Sequence, residues 1–204
     1  VLASASTVLS IALAIPAAYG LVRLPQRWLR VSRALIAGAA LFPSVLLFLA
    51  LLELARSLNL GNSLLALAIP YSALSLPLAL LLLTAAFEGL PKDLDDAAKL
   101  EGMSLVQRLR WVLIPLIAPA TASTAILVFL FAWNEYPIAL TWLSRSEQLT
   151  LPVAMARIAG SSVYSVPYGA YAAATVLGAL PLLLLVLLFQ RQIVSGLTNG
   201  AVKG

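Results

Sequence analysis

The sequence predicts an all-α protein: a bundle of transmembrane helices with one long polar hairpin set between two of them. Three observations predict it. Of the 204 residues, 62% are hydrophobic and only 10% charged, more apolar surface than a water-soluble domain of this size can hide. Uncharged runs occupy 1–22, 34–52, 57–87, 111–134 and 158–190, each of at least 19 residues and so long enough to cross a bilayer as a helix. The basic residues are also unevenly divided between alternate loops. Five spans follow, near 2–22, 34–55, 63–87, 114–137 and 168–190, within a single domain covering residues 1–204.

Charge sets the expected orientation. Arg23, Arg27, Arg30, Arg33, Lys92, Lys99, Arg108, Arg110, Arg191 and Lys203 fall on one side, and only Arg56, Arg145 and Arg157 on the other. Ten against three places the arginine loop, the central hairpin and the C-terminal tail in the cytoplasm. Topology therefore accounts for the net charge of +5, and no basic stretch is interleaved with aromatics as a base-stacking surface requires, so no nucleic-acid partner is expected. The chain has no Cys and no His, which excludes a disulfide framework, the commonest metal ligands and Ser-His or Cys-His catalysis. It also lacks a G-x-x-x-x-G-K-[ST] loop, so it is not expected to bind ATP itself.

The first span starts without a basic n-region and does not read as a signal peptide. Arg23 to Arg33, with Pro25, reads as a short turn whose arginines anchor topology and meet lipid headgroups. The second span ends in Glu53 and Arg56, three apart and spaced for a helical ion pair, and Asn59-Leu60-Gly61-Asn62 reads as a turn. The third span holds Pro70 and Pro77, which free backbone carbonyls and bend a helix. Tyr71 and Ser75 between them either line a pathway or sit in a packing kink.

Residues 88–115 are the polar segment, and they read as a helix–turn–helix. Pro91 suits a first helical turn, and Asp93, Asp95 and Asp96 follow where negative charge opposes the helix dipole. Leu90, Leu94, Ala97 and Ala98 share a low face open to another protein. Gly102 can take the left-handed conformation that ends a helix, and Ser104 with Gln107 forms a capping box for the next. Leu105, Leu109, Val112 and Leu113 give that second helix an apolar stripe.

Asp96-Ala97-Ala98, Gly102 and Val112-Leu113-Ile114-Pro115 resemble the EAA motif of binding-protein-dependent ABC transporter permeases: Glu-Ala-Ala, three residues, Gly, nine residues, then Ile-x-Leu-Pro. Asp96 for Glu, Val112 for Ile and Ile114 for Leu depart from the pattern but keep charge or apolarity. The resemblance implies a permease fold of the type I, MetI-like kind. It also implies that Asp96, Ala97, Ala98, Gly102, Met103, Ser104 and Pro115 couple to an ATPase subunit. A plain helical hairpin is the bland alternative.

The fourth span ends in Trp133-Asn134-Glu135-Tyr136, similar to a Trp-Asn-Glu or Trp-Asn-Asp stretch common in the sugar-permease branch. Asn134 and Glu135 either belong to an outer gate or translocation path, or reach up to water beside the belt residues Trp133 and Tyr136. Residues 142–167 follow; Leu149-Thr150-Leu151-Pro152-Val153-Ala154 resembles the family's Thr-Leu-Pro-Val stretch and has an interfacial, amphipathic look. The tail, 191–204, ends Gly196-Leu197-Thr198-Asn199-Gly200-Ala201-Val202-Lys203-Gly204, and its glycines argue against a stable helix. The same ending is typical of the maltose- and trehalose-type, MalG-like carbohydrate permeases. It implies that Gly196, Leu197, Thr198, Asn199, Gly200 and Lys203 contact the ATPase and become ordered in its presence.

The family branch normally carries six spans, so the expectation is that Val1 lies outside and that a native N-terminal span is missing from the numbered chain. Taken together, the resemblance implies a multi-pass permease of the bacterial cytoplasmic (inner) membrane. It would form half the pathway of a sugar importer for maltose, maltodextrin or trehalose, and would not be an enzyme. The implied partners are a second homologous permease, two ATPase subunits carrying ATP and Mg, an extracytoplasmic sugar-binding protein and membrane lipid; no cofactor and no metal are expected in this chain. An importer of another small solute is the alternative. A free-standing channel or secondary transporter would need paired intramembrane charges or an internal repeat, which the sequence does not display.

Overall fold

The structure is a computed structural model that describes residues 1–145, 148–159 and 167–201, with side chains as far as Gln190 except those of Phe48, Lys92 and Ala159. Among these residues every regular element is helical. The chain runs α1 (Leu2–Val22), α2 (Gln26–Ala40), a 3₁₀ turn (Ser44–Leu47), α3 (Phe48–Ser57), α4 (Leu64–Glu88), α5 (Lys92–Leu100) and α6 (Leu105–Gln107). A π-helical turn (Arg108–Leu113) leads into α7 (Ile114–Leu116), α8 (Ala118–Asn134), α9 (Pro137–Trp142), α10 (Leu151–Ala159) and α11 (Tyr168–Ala201).

α1, α4 and α11 are each long and apolar enough to span a membrane unaided. The other two expected spans are broken. The second is split between α2 and α3, which meet at a sharp bend where Pro43 interrupts the helix. The fourth starts at Ala118 rather than near 114, because the helix from Leu105 to Leu116 meets α8 at 81°. Pro115 and Pro119 flank that bend.

The centre of the bundle is the α1–α4 pair, with α8 packed against both, α2 against α4 and α11 against α8. α1 is apolar on all sides, so its packing face is marked by residue size. Ser6, Ser10, Ala14 and Ala18 recur every four residues and each is 0% exposed. Opposite them α4 presents Ala68, Ser72, Ser75 and Ala79, all buried. Small residues at this spacing let two backbones approach closely and gain dispersion contacts where lipid offers no hydrophobic drive. Ser10 and Ser75 meet at 3.3 Å in the middle of the contact. Buried apolar side chains form two clusters along this axis. Phe87, Leu83, Leu113 and Ile117 hold the hairpin end, and Leu67, Tyr71, Ile138, Trp142 and Val153 the opposite end.

Four local expectations are corrected. Only Arg23–Pro25 forms the turn after α1; Arg27, Arg30 and Arg33 lie on α2, because Pro25 caps that helix directly. Arg33 is not solely a topology anchor, since its guanidinium pairs with Glu88 at the end of α4. Glu53 and Arg56 make no ion pair among the described residues; both are exposed, where such a pair gains little over hydration. The backbone of the tail stays helical as far as Ala201 despite its glycines. It propagates from a long helix already formed, and extension avoids the cost of nucleation.

The Asn59–Asn62 turn forms as expected. Asn59 takes φ 54°, and the N–H groups of Asn59 and Leu60 bond back to Arg56 O and Ala55 O at 3.1 and 2.8 Å, closing α3. Asn62, at φ 60°, accepts from Ser144 N and Oγ at 2.7 and 2.8 Å, tying this turn to the chain after α9.

Candidate functional site

The polar hairpin is built as its residues dictate. α5 ends in a Schellman arrangement: Gly102 N–H bonds to Lys99 O at 3.0 Å and Met103 N–H to Ala98 O at 3.1 Å, with Gly102 at φ +80°. The capping box forms as read, with Ser104 N donating to Gln107 Oε1 at 2.8 Å and Gln107 N to Ser104 Oγ at 3.4 Å. Leu113 is buried, and Leu109 and Val112 pack beside it on the hairpin-end cluster. Between cap and cluster the helix is wound as π, the widened turn that often marks functional positions.

The expected low face of α5 is divided. Ala98 is buried against the bundle, whereas Leu94 and Ala97 stay exposed. With Leu100, Leu105, Val106 and Trp111, also exposed, they make an apolar surface at the tip and flank of the hairpin. Asp96, Gly102, Ser104 and Pro115 are exposed as well, and Met103 is half-buried. Asp96 pairs with Lys99, one turn away, at 2.7 Å. The hydrogen bond and charge of that ammonium hold its carboxyl below its ordinary value.

Sequence reasoning missed what anchors the hairpin. Asp95 is only 2% exposed, and its carboxylate is met by donors and cations among the described residues. Arg108 Nη1 donates to Oδ1 at 2.7 Å, Tyr19 Oη donates to Oδ2 at 3.0 Å, Arg23 pairs with Oδ2, and Lys99 Nζ stands 3.5 Å away. Burying a carboxylate is tolerable only with such compensation, and removing one partner of a buried pair costs about 3–5 kcal/mol. The knot is itself braced: Arg23 lies over the Tyr19 ring, 5.0 Å from its centroid, and Tyr19 meets Phe87 of α4 edge-on at 5.8 Å. The available signal was an acid three residues before Ala98, hence on the same face, and an arginine closing an apolar span. Which arginine meets which acid was not readable.

A second knot closes the other end. Glu135 is buried; its carboxylate accepts the Tyr71 hydroxyl from α4 and the N–H groups of Ile138 and Ala139 at 2.8 and 3.0 Å, which caps α9. Tyr71 and Ser75 are buried between helices, so neither lines an open surface of this chain. Asn134 differs. It is exposed, donates to Leu130 O at 2.8 Å, and lines a cleft of about 480 Å³ between α8, α10 and α11. Trp133, Tyr136, Tyr171 and Thr175 also line it, and among the described residues no charged side chain does. α10 and α11 meet so closely there that a Cβ on Gly178 would overlap the Leu151 side chain.

Gly196, Leu197, Thr198, Asn199 and Gly200 fall on the helical continuation of α11, where only the backbone is described, and Lys203 lies outside the described residues.

Comparison with known proteins bears on this arrangement. Residues 10–199 match the protein family described as binding-protein-dependent transport system inner membrane component. The chain is 41% identical over 201 residues to the trehalose transport system permease protein SugB of Mycobacterium tuberculosis, covering 98% of this chain and 73% of that one. It is 40% identical to the sulfoquinovosyl glycerol transport system permease protein SmoH of Agrobacterium fabrum, over 98% and 69% of the two chains. It is 38% identical to the trehalose/maltose transport system permease protein MalG of Thermococcus litoralis, over 100% and 73%.

Proposed function

Because the chain belongs to the family of binding-protein-dependent transport system inner membrane components, it is a membrane transport subunit and not an enzyme, and we propose that it is the permease of an ATP-driven importer for neutral sugars of the trehalose and maltose class. The observation that carries the reading is identity near 40%, sustained over nearly the whole chain, to relatives named for those sugars. A sulfonated glycoside is the second reading, favoured by similar identity to the sulfoquinovosyl glycerol permease. Among the described residues no charged side chain lines the cleft beside Asn134, which weighs toward the neutral sugar, since a buried sulfonate calls for a cation.

In this reading the apolar tip of the hairpin, with Asp96, Ala97, Gly102, Met103 and Ser104, docks in a groove of an ATPase subunit. Ala98 seats α5 on the bundle, and Pro115 sets the bend into α8. The partners are two such ATPase subunits, which carry the ATP and Mg, a second homologous permease and an extracytoplasmic sugar-binding protein. The hairpin and the C-terminus face the cytoplasm, a placement the distribution of basic residues supports. Glu135 and Tyr71 hold the outer end closed, Ser75 supports the α1–α4 contact beneath them, and Asn134 meets solute in the outer cleft. Residues 196–204 of the tail approach the ATPase pair.

The test is reconstitution of the assembled complex in lipid nanodiscs with its ATPase subunits. ATP hydrolysis is then measured with the binding protein alone and with it loaded by trehalose, maltose or sulfoquinovosyl glycerol. Stimulation by a loaded neutral sugar supports the reading. Stimulation by the sulfonated ligand alone moves the assignment to the second reading, and none by any sugar overturns both.

A further inference from the structure

We propose that Asp95, rather than the motif acid Asp96, is the positioning residue through which the hairpin moves the first span of the bundle. The inference rests on the importer reading and adds to it the place where motion crosses from the hairpin to the membrane helices.

The two neighbouring acids have opposite surroundings. Asp96 has a side chain 60% exposed, and its partner Lys99 lies on the same helix, so their pairing joins nothing to anything else. Asp95 is buried and joins three segments: α5, which carries it; the π-helical turn, through Arg108; and α1 with the turn after it, through Tyr19 and Arg23. A pull on α5 must either separate this carboxylate from its cations or carry them along. Separation leaves an uncompensated charge in a buried site, so the knot is carried. α1 in turn lies against α4 along the small-residue face, so displacement at Arg23 moves the pair as one body. A void of about 40 Å³ lined in part by Tyr19, Arg23, Phe87 and Asp95 lies beside the knot.

The experiment uses the full complex in nanodiscs and records three quantities for each variant: basal ATP hydrolysis, hydrolysis stimulated by solute-loaded binding protein, and solute uptake in proteoliposomes. Asp95→Asn keeps the shape and removes the charge. Arg23→Gln removes the ion pair on the α1 side while leaving the Tyr19 hydrogen bond, and with Arg23 38% exposed the subunit is expected to fold. Both variants are expected to lose stimulated hydrolysis and uptake by roughly tenfold, within the ordinary range of coupling free energies, while basal hydrolysis holds. Arg108→Lys, which preserves the charge, is expected to retain most of the coupling. Full stimulation in assembled Asp95→Asn, or in Arg23→Gln should Asp95→Asn fail to assemble, overturns the proposal. So does an equal fall in basal and stimulated rates, which marks simple loss of docking. A wild-type complex that no solute stimulates overturns the importer reading, and this proposal with it.

Discussion

Tyr71 donates its phenolic hydroxyl to the carboxylate of Glu135, 64 residues later in the chain, and so ties α4 to the start of α9 at the end of the bundle away from the hairpin. The same carboxylate caps α9 through two N–H groups, so the two residues are not equivalent. Tyr71→Phe removes one hydrogen bond to a charged group and is expected to cost about 1.5–3 kcal/mol. Glu135→Ala removes that bond and both caps, so its cost exceeds that of Tyr71→Phe, and Glu135→Gln falls between wild type and Glu135→Ala. Thermal unfolding of the purified complex in detergent, followed by helical circular dichroism, orders the three. A Tm for Glu135→Ala at or above that of Tyr71→Phe contradicts the capping role.

At Gly102 space is not the constraint, because a Cβ there meets nothing within 4 Å. The constraint is φ +80°. Gly102→Val is therefore expected to distort the hairpin at a cost of about 1–2 kcal/mol and to lower sugar-stimulated ATP hydrolysis, whereas Gly102→Asn, which tolerates that conformation, keeps it. Equal loss in both variants points to side-chain contact with a partner instead.

The α1–α4 contact has no slack at Ala14, which is 0% exposed. Ala14→Leu is expected to destabilise the subunit by about 1–3 kcal/mol through overpacking. The neighbouring exposed position serves as control: Leu13→Ala leaves the Tm nearly unchanged. If the two behave alike, the helix faces are assigned wrongly.

Removing the tail after Gln192 is expected to leave assembly intact and to lower stimulated ATP hydrolysis. A truncated complex of full activity denies the tail any coupling role.

The exposed Asp96–Lys99 pair makes a pH prediction. Because Lys99 lowers the Asp96 pKa in the fold, whatever stability the pair adds is present above the unfolded value of about 3.9 and is lost only as pH falls through the lower folded value. Asp96→Asn therefore leaves the shape of the ATPase pH profile between about pH 6 and 8 unaltered. A new inflection in that window contradicts this assignment.

The hairpin was readable because its contacts are local. Gly102 and the Ser104–Gln107 box act within a few residues and formed as read, whereas Pro91, read as part of the first helical turn, is the extended N-cap residue just before α5. Hydropathy located the spans for the same reason, but it was blind to Pro43 and to the bend at Ile117, where a continuous apolar run conceals a broken helix. The α1 packing face was also legible, in Ser6, Ser10, Ala14 and Ala18, yet a search for apolar stripes passes over it, because in a uniformly apolar helix residue size marks the interface. The long-range bonds of the Asp95 and Glu135 knots join residues 13 to 76 apart in the chain, and the sequence carries no local rule that pairs them.

The hairpin looks like a cassette, a self-capped insertion between two spans that evolution or an engineer could exchange to match one importer to another's motor. Asp95 argues against portability. A grafted hairpin arrives with its own buried acid and needs a tyrosine and an arginine already waiting at the end of α1, some 70 residues earlier in the host chain. Chimeras drawn at the hairpin's visible boundaries should therefore fail more often than those that carry the end of the first span along with it.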